Sequence, residues 1–201
     1  MKNILLIIIG FALFMQCKAQ LTIVDIDTWN GEVTPGVYYK DINNYLDNFV
    51  GTWVYTKGNT IFKIVIKKEI KYIKATYYED LLIGEYQYIE NGLEKINTLS
   101  LIDSILLNQW SHKICGNSLL KNHNIPVCNT CQPNERRVEL IFSDPIRRLG
   151  GELLLQRIIV NGQPALKAYK RTTNYNISLD EQSPYTEMLV PSGEYILIKQ
   201  E

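Results

Sequence analysis

The sequence predicts a mainly β protein, an antiparallel meander that curls into a barrel or half-barrel, and three observations carry that expectation. Residues 60–68 alternate, with Phe62, Ile64 and Ile66 on one face and Lys63 and Lys67 on the other. That two-residue period belongs to a strand with one buried and one wet side. Asn91-Gly92 and Asn161-Gly162 each join two residues that tolerate positive φ, as a tight hairpin turn demands. Thirteen tyrosines, with abundant isoleucine, valine and threonine, suit a pleated and half-buried surface. About nine strands on mostly short turns follow, and a sheet of that size closes because closure removes unpaired edges.

The chain starts with a different pattern. Lys2 precedes an apolar run from Ile4 to Met15, and Gln16-Cys17-Lys18-Ala19-Gln20 follows. Charged, apolar and small-residue segments in that order read as an export signal over residues 1–19, too short and wrongly flanked for a stable membrane span. Residues 20–201 are then a single domain. Two endings of the signal stand. Cleavage after Ala19, with Cys17 at minus three, leaves a chain starting at Gln20. Cleavage before Cys17 with acylation of its sulfur gives a lipid-anchored protein. The expected location is the periplasm, the outer membrane through a lipid anchor, or the medium.

The rest is taken in order. Residues 21–34 form an extended arm, and Pro35-Gly36 a turn. Tyr38, Ile42, Tyr45, Leu46 and Phe49 recur at spacings of three and four, the stripe of a short N-terminal helix that Gly51 stops. Strands are expected at 52–56, 60–68, 71–78 and 82–89, the last two joined at Glu79-Asp80, and at 93–101. The pattern fails over residues 104–135, which hold Cys115, Cys128, Cys131 and both histidines. A loop so long is usually functional or pinned by a cross-link. Strands resume at 138–144, 152–160, 165–171 and 195–199.

Asn48-Phe49-Val50-Gly51-Thr52-Trp53, a short helix running into Gly-x-Trp at the head of a meander, resembles the opening motif of lipocalins and similar small β-barrels. The resemblance implies that Gly51 lets the chain enter a barrel floor and that Trp53 closes it against a basic side chain, with Arg157 or Arg171 as candidates. The Thr-Asp-Tyr motif of lipocalins is absent, and the cysteine-bearing insertion has no counterpart there. The longer pattern Leu81-Leu82-Ile83-Gly84-Glu85-Tyr86-Gln87-Tyr88 before Glu90-Asn91-Gly92 resembles an exported bacterial family of unknown function. That likeness implies localisation and a shared fold and supplies no activity.

The densest constellation is His112-x-x-Cys115 followed, after twelve residues, by Cys128-x-x-Cys131. Inside a cell that spacing would suit a tetrahedral zinc site of His112, Cys115, Cys128 and Cys131. Oxidising surroundings favour a disulfide instead, from Cys115 to Cys128 or Cys131, with the third thiol free and no metal. Tyr77, Tyr86 and Tyr88, with Trp53, are the candidate lining of a ligand cup. The alternative puts Tyr77 in the core with Ile73 and Ala75, and Tyr72 and Tyr78 on the wet face. No nucleophile elbow, phosphate loop or His-Glu-x-x-His is present, and Asp80 and Glu85 read as surface carboxylates rather than a catalytic pair. Lysine plus arginine equals aspartate plus glutamate, 21 each, and Arg136-Arg137 and Arg147-Arg148 read as solvated strand ends. No nucleic acid and no cofactor are expected. Two functions remain in view, both non-enzymatic: a lipocalin-like envelope module holding a small apolar or amphipathic ligand, or a filled barrel that meets an envelope protein.

Overall fold

The computed structural model describes residues 21–104, 106, 108–176 and 183–200. The expected export signal and Cys17 lie outside the described residues. Eleven strands form one sheet. In chain order they are β1 (Ile23–Asp25), β2 (Tyr38–Lys40), β3 (Gly51–Lys57), β4 (Thr60–Lys74), β5 (Tyr77–Glu90), β6 (Leu93–Asn97), β7 (Ile114–Leu120), β8 (Arg137–Asp144), β9 (Leu149–Val160), β10 (Gln163–Asn176) and β11 (Gly193–Gln200). The ring runs β5-β4-β3-β11-β10-β9-β8-β7, and β7 pairs back onto β5. The result is a closed antiparallel barrel of eight strands.

Closure is made on one edge of β5. Its first edge pairs with β4 along most of its length. The second edge is shared: β2 runs parallel at Tyr78 and Glu79, β7 antiparallel at Leu82, Ile83 and Gly84, and β6 from Gln87 to Glu90. The closing row reads Ile66, Gly84, Ile114, Phe142, Gly151 across five strands. A Cβ on Gly84 would stand 2.8 Å from the Val65 carbonyl oxygen and 3.2 Å from Ile114 Cβ. Only glycine lets β4, β5 and β7 approach this closely. Sequence pattern gave no sign of β7, because Ile-Cys-Gly-Asn-Ser-Leu-Leu does not alternate. Gly116 sits there at φ 141° beside a register shift. The expected insertion 104–135 is therefore two loops on either side of a wall strand.

Two other expectations are corrected. The helix expected over 38–49 is the strand β2 followed by one 3₁₀ turn, Leu46–Phe49. The Asp41 carboxylate accepts the Tyr45 and Leu46 N–H groups at 2.8 and 2.9 Å, and Asn44 takes φ 54°. Together these interrupt a right-handed helix before it can start. The turn expected at Glu79-Asp80 falls instead at Ala75-Thr76, with Ala75 at φ 54°. Glu79 and Asp80 lie within β5, and the Asp80 carboxylate accepts the N–H of Lys71 in a bulge of β4 at 2.9 Å.

Both ends of the barrel are stoppered. At the floor, Leu46 and Phe49 are fully buried, and the Trp53 indole N–H donates to the Phe49 carbonyl at 2.9 Å. Lys199, paired with Trp53 across β11 and β3, holds its ammonium 5.3 Å from the indole centre. Of the basic partners expected for Trp53, Arg171 pairs with Glu152 on the outer surface, and Arg157 reaches the Asn48 carbonyl of the floor turn. At the opposite end Met188 and Val190 are buried beside Lys170. Between the stoppers, ring centres of Phe62 lie 5.2 Å from Tyr195 and 6.1 Å from Phe142, and Tyr86 lies 4.5 Å from Phe142. Among the described residues no helix is long and apolar enough to cross a membrane.

Replacing Gly84 by Val is expected to cost about 1–3 kcal/mol by overpacking the closing row, read as a lower urea midpoint with an unchanged far-ultraviolet spectrum. A wild-type midpoint would mean that the closure is not tight. The buried Lys170 ammonium donates to the Val190 carbonyl at 2.7 Å and to the Thr172 hydroxyl at 2.9 Å, and burial holds its pKa down at about 8. Between that pH and about 10 the unfolded chain binds a proton that the folded chain has released, so this group makes stability rise with pH. Burial raises the Tyr77 and Tyr88 pKa values to about 12, so above about pH 10 their ionisation in the unfolded chain reverses the trend. Urea titrations across this range should show the rise, and Lys170→Met should remove it.

Candidate functional site

The four residues expected to line a cup are all in the packed core. Trp53 and Tyr86 are fully buried, and Tyr77 and Tyr88 nearly so. The Tyr86 hydroxyl donates to the Ser143 carbonyl at 3.1 Å and that of Tyr88 to Glu90 at 3.3 Å. Tyr77 packs edge-on against Tyr39 and Trp29 in the same core. Its expected core neighbours are exposed, Ala75 in the hairpin turn and Ile73 in β4 opposite Tyr78. No cleft described below is lined by any of these four aromatic residues.

The cysteines divide differently from the expected pattern. Cys128 and Cys131 form the disulfide, three positions apart. Cys115 is the free thiol, not the partner expected for either of them. The reason is β7: its ladder fixes Cys115 between Ile83 and Ile141, 1% exposed, with the thiol donating to the Trp110 carbonyl at 3.4 Å. Burial pushes that thiol up to about 12, so it is a poor nucleophile. The zinc alternative is not assembled either. His112 is turned toward Glu85 at 2.8 Å, and among the described residues no group of three or more His, Cys, Asp or Glu side chains is placed to hold a metal.

What sequence reasoning missed is a buried polar layer on the outside of β5. Glu79 and Glu85 are six residues apart, hence on one face of the strand. The Glu79 carboxylate accepts the Trp110 indole N–H at 2.7 Å and the Asn117 amide at 3.2 Å. Glu85 meets His112 Nδ1, while its other oxygen has no hydrogen-bond partner among the described residues. These contacts hold Trp110 and His112 against the outer face of β5, where Leu81 and Ile83 are buried as well. The apolar run Leu81-Leu82-Ile83 carried the signal, since a stretch without alternation is covered on both faces. Asp80 and Glu85, read as surface carboxylates, are both buried, and their odd separation puts them on opposite faces.

Outside the barrel, a cleft of about 520 Å³ opens between the disulfide loop and the outer face of β8, β9 and β10. Its floor carries ion pairs, Lys167–Glu194 at 2.9 Å and Arg171–Glu152, and a half-exposed Tyr169. Glu139, on the same floor, has its carboxyl pKa raised by burial and then by the charge of Glu152. Arg137 is the anchor of the wall. It is buried, not a solvated strand end, and its guanidinium donates to the carbonyls of Pro126, Lys121 and Asn124. Arg136 instead pairs with Asp27 and stacks on Tyr45. The lining of this cleft is charge-balanced, with Arg137, Lys167 and Arg171 against Glu139, Glu152 and Glu194.

Changing both Cys128 and Cys131 to Ser is expected to cost about 2 kcal/mol, since the loop they close is short. Alkylation followed by intact mass should label Cys115 only after unfolding, and Cys128 and Cys131 only after reduction. Rapid labelling of Cys115 in the folded chain would contradict its burial.

No curated protein and no solved structure matches the chain. A family model matches residues 1–200, and the chain belongs to that family, a family of unknown function (DUF6705).

Proposed function

We propose that this protein is an exported, non-enzymatic envelope module whose barrel is filled by its own side chains and which meets its partner from the outside. The observation that carries this reading is the interior. Leu46, Phe49 and Trp53 stopper one end, Met188 and Val190 the other, and aromatic rings touch across the space between. A small apolar ligand would need several hundred cubic ångströms that these rings already occupy. Favoured over the carrier, then, is the surface: a rigid wall holding the disulfide-pinned loop, with exposed Ile125 and Val127 at its tip.

Likeness to lipocalins enters here as architecture. Gly51 takes φ 134°, a Cβ there would press on the Lys199 side chain at 3.1 Å, and Trp53 lies under the Lys199 ammonium. Glycine, tryptophan and a cation in that relation support a shared way of closing a barrel floor. They carry no ligand with them. Export rests on Lys2, the apolar run and the residues around Cys17.

Native mass spectrometry of the full chain purified from its own envelope tests the reading. The expected mass is that of the polypeptide starting at Gln20, or at an acylated Cys17, with no further small molecule retained. A stoichiometric ligand released on denaturation would return the carrier role, and an unprocessed Met1 terminus would remove export.

A further inference from the structure

We infer that the corner of the sheet beside the N-terminal strand is a lipid-facing surface that rests on an anionic bilayer. Beyond the floor, β1, β2, the last residues of β4 and the first of β5 extend past the closed ring. Ile23, Tyr38, Tyr78 and Ile73 stand side by side in one row across these four strands. Ile23 is 50% exposed and Ile73 61%, and Ile70 in the adjoining bulge is 70% exposed. The Lys71 ammonium lies 5.9 and 5.2 Å from the ring centres of Tyr38 and Tyr78. Lys40, two residues beyond Tyr38 and so on the same side, is exposed as well. Among the described residues neither Lys40 nor Lys71 enters an ion pair, whereas Lys67, Lys68 and Lys74 beside them do.

Exposed branched aliphatics beside tyrosine rings and unpaired lysines are the chemistry of a bilayer boundary. The aliphatics enter the acyl margin, the half-buried Tyr78 ring sits at headgroup depth beside the buried Tyr38, and the ammonium groups meet phosphates. Lys40 and Lys71 call for anionic acceptors, which an anionic headgroup layer supplies. Chain direction points the same way. β1 begins at Ile23, six residues after Cys17, so the two are at most about 20 Å apart. This part of the argument rests on the export reading with Cys17 as the acylated residue. An acyl chain there would keep this corner close to the membrane. One chain alone binds only marginally, and a second contact of this kind makes attachment stable.

The test uses residues 20–201, which carry every described strand and no acyl chain, with folding verified by circular dichroism. Flotation is measured with vesicles of phosphatidylethanolamine and phosphatidylglycerol, and with vesicles of phosphatidylcholine. The expected result is binding to the anionic vesicles that Ile70→Glu with Ile73→Glu weakens about tenfold or more, while Ile159→Glu on the barrel wall has no effect. Replacing Lys40 and Lys71 by Gln should remove the preference for anionic lipid. Failure of the unacylated chain to float, or flotation indifferent to Ile70 and Ile73, overturns the inference. So does a loss produced by Ile125→Glu instead, which would move the contact to the disulfide loop. A change from dimer to monomer in the Ile70 and Ile73 variant without loss of flotation would assign the corner to a second copy and also overturn it. The intact mass of the envelope-purified chain reads acylation separately, so an absent acyl group removes the anchor while the flotation result still judges the surface.

Discussion

Three backbone pairs, Leu82 with Gly116, Ile83 with Cys115 and Gly84 with Ile114, turn an eight-strand ribbon into a barrel. Every other ring contact joins strands consecutive in the chain, apart from β3 with β11, which joins the two halves of the chain. The β5–β7 seam is short because β5 must share that edge with β2 and β6. It holds because Gly84 has no side chain, so Ile66 and Ile114 close over it from either side. Much of the remaining structure hangs on the same three pairs. β7 buries Cys115, carries Asn117 to Glu79, and starts the disulfide loop at its far end.

The interior explains why a closed barrel need not be a container. Small barrels are filled when large residues face one another along neighbouring strands. Here Phe62, Tyr86, Phe142 and Tyr195 do so in edge-on and tilted pairs. Polar groups taken inside are met by specific partners. Asp144 accepts the N–H groups of Ile146, Arg147 and Leu189, and Asp80 accepts the Tyr38 hydroxyl at 2.5 Å and the Asp41 N–H at 3.0 Å. Lys170 is met by two neutral acceptors, so burial is not offset by a hydrogen-bonded carboxylate and its proton is held weakly.

With the inside occupied, differences in the outer surface matter. Trp110 and His112 lie on one flank of β5 through Glu79 and Glu85. The disulfide loop walls a cleft over β8 to β10. The corner formed by β1 and β2 leaves isoleucines exposed beside unpaired lysines. These three features come from the parts of the chain that depart from regular alternation, and each is anchored by a buried charged group or by strand pairing rather than by its own core.

Strand content, the two Asn-Gly hairpins and the alternation of β4 were legible in the sequence. They follow from local rules: a period of two and residues that accept positive φ. The helix stripe at 38–49 misled, because spacing alone says nothing of Asp41 capturing two N–H groups from a neighbouring turn. Cys115 looked like a disulfide partner because counting residues cannot show that a strand without alternation holds it in the wall. Trp53 found Lys199 rather than an arginine because the ring, not the chain, makes β11 and β3 neighbours. The sequence by itself determined which segments could be strands, since side-chain periodicity is written in the order of residues. Which edges met, and therefore that Trp53, Tyr77, Tyr86 and Tyr88 lie in a packed core, only the tertiary structure decided, because closure depends on contacts between residues far apart in the chain.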